Sequence, residues 1–230
     1  MAVLSIVVPV LDEAQGIAAT LEPLCDARRR GAEVIVVDGA SRDATREIAA
    51  RMADRVLVAE RGRSLQMNAG ARAASGEHLL FLHADTLLPA DGIEQVKVAF
   101  AAGARWGRFD VAIAGADPML ALIASAMNTR SRLTGVATGD QAMFVSRELF
   151  ERVGGFAAIP LMEDVALSKR LRREARPACL ASRVVTSGRR WERRGTLRTI
   201  ALMWRLRLAY ALGADPHRLA RLYDVERTGG

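Results

Sequence analysis

The chain has 230 residues, half of them hydrophobic, and 33 Lys+Arg against 26 Asp+Glu give a formal charge of +7. That length suits one domain with a sizeable core; no run approaches the roughly 18 to 20 uncharged apolar residues of a membrane span, and Val3 to Leu11 lacks the basic start and cleavage site of a signal peptide, so a cytoplasmic chain is expected. The charge does not make a nucleic-acid binder, because the densest cluster, Arg189, Arg190, Arg193 and Arg194, has only Trp191 as an aromatic neighbour and no helix-turn-helix, zinc-finger or RNP-like pattern around it.

Val3 to Val8 is an apolar, β-branched run that predicts a central parallel strand, which Pro9 should end. An acidic loop, Val10-Leu11-Asp12-Glu13, follows. Ile17, Leu21 and Leu24 mark a helix that Pro23 should kink or split. Glu33 to Val37 predicts a second buried strand, again ending in an acid, Asp38, before Gly39-Ala40-Ser41. Ser41 or Asp43 can cap a helix with Thr45, Ile48, Ala49 and Met52 on its apolar face, leading to a short strand at Arg55 to Val58 and a basic loop, Arg61-Gly62-Arg63. The next helix, about Ser64 to Ala74, carries Gln66, Asn68 and Arg72, with Gly76 placed as a left-handed C-cap. Leu79-Leu80-Phe81-Leu82 predicts a fourth buried strand running into His83-Ala84-Asp85, and Pro89 closes the stretch. In an extended chain His83 and Asp85 point the same way, toward one cation or one phosphate-bearing ligand; the alternative is a solvated turn.

Ala104 to Gly115 reads as an edge or antiparallel strand, and residues 117–133 as a helix with Leu120, Ile123, Ala124 and Met127 inward. Gly135 to Ser146 reads as a strand with an embedded polar triplet, Gly139-Asp140-Gln141, or as a bulge with solvated side chains. Glu163 and Asp164 open a helix with Val165, Ser168 and Leu171 inward, and acids there ordinarily meet free N–H groups and the helix dipole. The arginines of 189–194 are either a solvated loop or donors to a diphosphate. The last helix, Thr196 to Leu212, carries a stripe of Leu197, Ile200, Ala201, Trp204, Leu208 and Ala211. It is expected to pack on the domain, with a dimer surface or an anionic membrane as alternatives. Cys25 and Cys179 form no ligand pattern and are expected to be free thiols.

Strands alternating with helices argue for βαβ units around a mostly parallel sheet, in which ligands bind beyond the carboxyl ends of the strands. Those ends carry Asp12, Glu13, Asp38, Arg61, Arg63, His83 and Asp85, so a nucleotide or metal site is expected there. In this order the residues resemble the family-2 glycosyltransferases of the GT-A fold. The matching elements are the first strand with Pro9 and Asp12-Glu13, VVDGASRDAT from Val36 to Thr45, Asn68 and Gly70 before Ala74-Ser75-Gly76, Asp85, and Gly154-Gly155-Phe156 followed by Glu163-Asp164. GRSLQMNAGA, LLFLHADT, TGDQAMFV and SGRRW are most similar to the arsenosugar-biosynthesis-type group of that family.

The resemblance implies an α/β/α sandwich forming a single GT-A domain over residues 1–230: a nucleotide-sugar-binding half to about 103, an acceptor-side half over about 104–195, and a C-terminal amphipathic helix and tail. It implies sugar transfer, with inversion, from a nucleoside diphosphate sugar, a UDP-sugar by first choice, to an acceptor hydroxyl of unknown identity. Pro9, Asp12, Glu13, Asp38, Arg63, Asn68, His83 and Ala84 would form the donor side, and Asp85 would hold Mn²⁺ or Mg²⁺. Asp164 would be the general base, with Gly139, Asp140, Gln141, Glu163, Arg190 and Trp191 on the acceptor and diphosphate side. His83 stands where the family has the first acid of Asp-x-Asp; an imidazole can ligate Mn²⁺ or donate to a ribose or phosphate oxygen. A nucleotidyltransferase on a similar sheet, or a non-catalytic nucleotide-sugar binder, are the alternatives.

Overall fold

The computed structural model describes residues 3–228, except for the side chains of Arg190, Arg193, Arg194 and 224–228. The first half is β1 (Leu4–Val10), α1 (Ile17–Arg29), β2 (Glu33–Asp38), α2 (Thr45–Ala50), β3 (Arg55–Val58), α3 (Arg63–Ala73), β4 (His78–Phe81), β5 (Thr86–Leu87) and α4 (Gly92–Ala101). The second half is β6 (Trp106–Ile113), α5 (Met119–Thr134), a 3-10 turn at Gly139–Gln141, β7 (Met143–Ser146), α6 (Arg147–Arg152), α7 (Glu163–Glu174) and β8 (Ala178–Thr186). Three C-terminal helices follow, α8 (Arg189–Arg194), α9 (Thr196–Ala211) and α10 (Pro216–Thr228).

The described strands form one sheet in the order β3-β2-β1-β4-β7-β6-β8-β5. β3, β2, β1 and β4 are mutually parallel, as the βαβ pattern demands, whereas β7 runs antiparallel to both β4 and β6. β8 is parallel to β6 and antiparallel to β5. The period of two along the central strands divides their side chains between two cores. Ile6, Val8, Val34, Val36, Leu80 and Leu82 pack with Ile17, Leu21 and Leu24 of α1 on one face. Val7, Ile35, Val37, Leu79 and Phe81 pack with Met67 and Ala71 of α3 and with Phe150, Phe156 and Leu171 on the other. A third cluster joins Met162 and Val165 to Leu202, Leu206 and Leu219, docking the C-terminal helices against the start of α7.

Several local expectations change. Pro23 neither splits nor ends α1, because it lies on the exposed side, where water can satisfy the carbonyl it leaves unbonded. Pro9 lies inside β1. Val7 uses its carbonyl toward β4, so the missing N–H of Pro9, two residues on, faces the same side beyond the last β1–β4 pair, Val7 with Phe81. Gly76 is not a left-handed cap. α3 ends at Ala73 with Ala74 extended, and Gly76 is needed for close approach, since a Cβ there would come within 2.4 Å of the Val3 carbonyl oxygen.

Over Gly135 to Ser146 only Met143–Ser146 is strand and the polar triplet is a 3-10 turn, and β6, read as an edge or antiparallel strand, is antiparallel to β7 and interior to the sheet. The arginine stretch, read either as a solvated loop or as donors to a diphosphate, is the short helix α8. In α9 the face on the domain is Thr199, Leu202 and Leu206, so the expected packing stripe points outward. α4, β5, α6, β8 and α10 carried no signal strong enough to be anticipated. Both cysteines are free, and no described helix is long and apolar enough to cross a membrane.

Candidate active site

The loops after β1 and β2 are bonded to each other. The Asp12 N–H donates to Ser41 Oγ (2.9 Å), the Arg42 N–H donates to Asp12 Oδ1 (2.8 Å), and the Glu13 N–H donates to Thr45 Oγ1 (2.8 Å). Gln66 Nε2 reaches from α3 to the carbonyls of both Val10 and Val37, at 2.8 Å each, and so fixes the two strand ends together. Asp38 is fully buried: its Oδ2 accepts from the Ser41 N–H at 3.0 Å and lies 3.8 Å from Arg46 Nε, while its Oδ1 has no partner among the described residues. A buried carboxylate oxygen without a donor costs stability, and a ligand N–H or O–H would repay that cost.

The end of β4 departs from the extended form. The Thr86 N–H donates to the His83 carbonyl at 3.1 Å, so the chain turns at Ala84 and Asp85 and the two-residue alternation does not carry from His83 to Asp85. The His83 imidazole instead lies against Gly139, where a Cβ would come within 2.3 Å of Nε2; only glycine fits under the ring. Its Nδ1 is 3.4 Å from Asp140 Oδ1, and its buried Nε2 has no partner among the described residues. Ala84 is buried and its carbonyl accepts from the Thr20 hydroxyl. Asp85 is half-buried; its carbonyl accepts from the Ser187 N–H at 3.0 Å, and its side chain has one long contact, 3.4 Å, to Thr86 Oγ1.

Among the described residues no three His, Cys, Asp or Glu side chains converge as a metal cage. One accessible carboxylate with spare acceptor capacity suits a different arrangement: a hard divalent ion that takes its remaining ligands from phosphate oxygens and water. Asp85, half-buried with little side-chain engagement, offers carboxylate oxygens of the kind a hard divalent ion takes.

The start of α7 faces this edge across the 3-10 turn. Asp164 Oδ2 accepts from the Gly139 N–H at 2.8 Å and Oδ1 accepts from the Val165 N–H at 2.7 Å. Glu163 is buried beside it, with Oε1 at 3.3 Å from Arg63 Nη1. Burial, and then the Glu163 charge, push the Asp164 carboxyl up to about 6, against the two N–H donors and Arg63, which pull it down. The Arg63 side chain is 44% exposed, and partial desolvation works against its charge, but Glu163, then Asp140 and Asp164, hold its pKa above the ordinary value. Arg130 of α5 joins the cluster: burial lowers its pKa, Asp164 opposes that, and its buried Nε and Nη2 have no hydrogen-bond partner among the described residues. Burial and the Asp164 charge also raise the Tyr210 phenol, which α9 brings near.

Backbone strain gathers at these loops. Asp12, Ala40, Ala142 and Met162 are the described non-glycine residues with positive φ, at 52°, 66°, 45° and 68°. Each such conformation costs roughly 1–3 kcal/mol and is kept where the surroundings hold it. All four flank the acids: after β1, after β2, after the Gly139–Gln141 turn, and directly before Glu163.

Residues 5–153 match the family model for Glycosyl transferase family 2. The chain belongs to glycosyl transferase family 2. The structure is that family's GT-A fold, and solved structures share it: S. aureus TarS residues 1–349 (18% identity over 80% of this chain and 60% of that one, TM-score 0.65) and the mannosyltransferase PcManGT from Pyrobaculum calidifontis in complex with GDP-Man and Mn²⁺ (24%, 90% and 60%, TM-score 0.64). Glucosyl-3-phosphoglycerate synthase from Mycobacterium tuberculosis, in complex with Mn²⁺, UDP and glucosyl-3-phosphoglycerate, matches at 18% identity over 92% of this chain and 79% of that one, TM-score 0.65. The chain thus spans about 60% of the length of TarS 1–349, and no curated protein matches it.

Within this family-2 domain the expected site residues fall into two groups. Asp12, Glu13, Asp38, His83 and Asp85 lie at the strand ends, and Arg63, Gly139, Asp140, Glu163 and Asp164 form one bonded cluster beside them. Glu13 Oε2 also meets Arg189 Nη2 at 3.3 Å, tying α8 to the first loop. Trp191 is half-buried in α8; the side chain of Arg190 lies outside the described residues. Three expected contacts are engaged in bracing. Pro9 is buried within β1. Asn68 donates to the Phe156 carbonyl (2.8 Å) and accepts its N–H (2.9 Å), and fully buried Gln141 closes a capping box with Thr138. Sequence reasoning gave no role to Arg46, Gln66, Arg130 or Tyr210. Arg130 follows Met127 at helical spacing in an ordinary amphipathic pattern, and only the tertiary fold brings it to Asp164.

Proposed function

We propose that the protein is an inverting glycosyltransferase that moves a sugar from a nucleoside diphosphate sugar, a UDP-sugar by first choice, to an acceptor hydroxyl. The observation that carries this reading is Asp164, a carboxylate whose proton affinity burial and Glu163 raise to about 6 while it faces the acid-bearing strand ends. At neutral pH such a group is ionised yet more basic than an ordinary carboxylate, which suits a general base. Asp12, Glu13 and Asp38 take the base and ribose, and the unpartnered Asp38 Oδ1 accepts from the ligand. His83 and Ala84 shape the turn under the donor sugar, and Asp85 holds the divalent ion. When bound, that ion supplies charge to stabilise the departing diphosphate. Arg63 and Arg189 add positive charge, and Gly139 and Asp140 wall the acceptor side.

In one displacement the acceptor oxygen bonds to the anomeric carbon from the face opposite the phosphate. Its proton passes to Asp164, and the bond from the anomeric carbon to the phosphate oxygen breaks with both electrons leaving on the diphosphate. One displacement inverts the centre. The neighbours' complexes with UDP, UDP-GlcNAc, or GDP-Man and Mn²⁺ support the donor class. We take residues 1–230 as one catalytic domain, and GRSLQMNAGA, LLFLHADT, TGDQAMFV and SGRRW support its place in the arsenosugar-biosynthesis-type group.

A thermal-shift panel of nucleoside diphosphate sugars with and without Mn²⁺ tests the reading, since a ligand at 100 times its Kd stabilises by about 2.7 kcal/mol. The expected result is a shift with one donor class, enlarged by Mn²⁺, and an inverted anomeric signal by NMR when that donor is turned over. A flat response to every donor, or retention in the product, overturns it.

A further inference from the structure

Helix α9 is apolar on two opposite faces. Thr199, Leu202 and Leu206 are buried against the domain. On the other side Leu197, Ala201, Trp204 and Leu208 follow one another at helical spacing, and Leu197, Trp204 and Leu208 are 70%, 76% and 63% exposed. A helix apolar on both sides is ordinarily buried on both. At 100° per residue, Arg198 flanks this outward stripe on one side and Arg207 on the other, and α9 contains no acidic residue.

We infer that the outward face of α9 is a docking surface for an anionic lipid bilayer. The charge pattern selects this occupant. A second copy meeting the same face about a two-fold axis would bring arginine flanks against arginine flanks, with no acid on either helix to pair them. An anionic bilayer instead offers acyl chains to the leucines, an interfacial level for the Trp204 ring, and headgroups within reach of the long Arg198 and Arg207 stems. α9 is too charged to cross the membrane, and it lies in the interface plane. Its inward face packs on Met162 and Val165, which places only the thickness of one helix, about 10 Å, between the bilayer and the helix that carries Asp164. Lipid docking stands on the surface of α9 alone and is independent of the catalytic assignment.

The test is flotation of the purified protein with phosphatidylcholine vesicles, with and without phosphatidylglycerol, at low and high salt. The wild-type chain should float with the phosphatidylglycerol vesicles, and high salt should weaken it. Trp204 should be quenched by brominated acyl chains. The pair Leu197→Gln and Leu208→Gln should weaken partitioning by at least about tenfold. Both side chains are mostly solvent-exposed, so the thermal midpoint of that variant should match the wild type. Arg198→Gln with Arg207→Gln should remove the preference for the anionic lipid. Failure to float at low salt, flotation unchanged by the leucine pair, or a concentration-dependent dimer that Leu208→Gln disperses would each overturn the inference, the last by giving the face to a second copy.

Discussion

The strand-end edge, which we propose takes the donor, and the cluster around Asp164, which we propose faces the acceptor, are both built from acids. They hold Asp12 and Glu13 on the one side and Glu163 and Asp164 on the other by different means. At the edge Asp12 is exposed and Glu13 partly so, each loop is fixed by backbone N–H groups and hydroxyls of its neighbour, and Gln66 ties the strand ends together. In the cluster buried Glu163 and half-buried Asp164 stand beside Arg130 and the outward-reaching Arg63, and burial together with the Glu163 charge raises the proton affinity of Asp164. The first arrangement presents acceptors at fixed positions for a ligand to meet. The second sets an energy for a proton. On the proposed function, recognition comes from the parallel sheet and its loops, and reactivity from burial and like charge at Asp164.

The largest test of that division is Asp164→Asn. It should lower kcat by about 10²–10⁴-fold, the usual contribution of a general base, and leave the donor Kd within about twofold by calorimetry. Loss of donor affinity with turnover retained would place Asp164 on the recognition side. Asp85→Asn should come next: nucleoside diphosphate affinity in Mn²⁺ falls by about 10–100-fold, and the residual affinity in EDTA hardly changes. An unchanged Mn²⁺ dependence would remove Asp85 from the metal.

The pH profile sharpens the contrast further. Only ionised Asp164 can take a proton, so kcat/KM should fall on an acid limb near pH 6. Glu163→Gln removes a like charge that raises this carboxyl, and the limb should move to lower pH; Arg63→Gln removes a cation that lowers it, and the limb should move up. The linkage to stability has the matching sign. A carboxyl whose folded pKa lies above its unfolded value stabilises the fold in acid, and that contribution is lost as pH rises through about 6, so the active form is the less stable one. A limb that stays in place in both variants would mean that another group titrates.

Legibility in the sequence follows the same division. β1, β2 and β4 are visible as unbroken apolar runs because both faces are buried, and each run ends on the acids that the fold brings to one edge. That local coupling of strand and terminus made Asp12, Asp38 and Asp85 readable together. The cluster is nonlocal: Arg63, Arg130, Gly139 and Asp164 come from four separate segments, so helix spacing could not distinguish Arg130 from a surface arginine, and Glu163-Asp164 had the pattern of an ordinary helix start. His83 went astray for a backbone reason. Alternation applies to extended chain, and the turn that the Thr86 N–H closes sends the imidazole to Gly139 and Asp140. In α9 periodicity found an apolar stripe correctly but could not tell which of two apolar faces meets the domain.

The smallest effect is expected at Asn68, where the family pattern suggests a donor contact and the geometry gives a brace. Both ends of its amide are bonded to the backbone of Phe156, which follows Gly154 and Gly155 with φ of 77° and 62°. The Phe156 ring packs edge-on against Phe81 at 4.8 Å, in the strand that leads to His83 and Asp85. Asn68→Ala would leave the N–H and the carbonyl of Phe156 without their partner, so the chain should lose about 1–3 kcal/mol of stability in urea unfolding. Because Asn68 acts through Phe156 and Phe81 rather than on the ligand, donor Kd should stay within about twofold. A tenfold loss of donor affinity at unchanged stability would instead make the amide part of the recognition edge, and the boundary between the two regions would then run through α3.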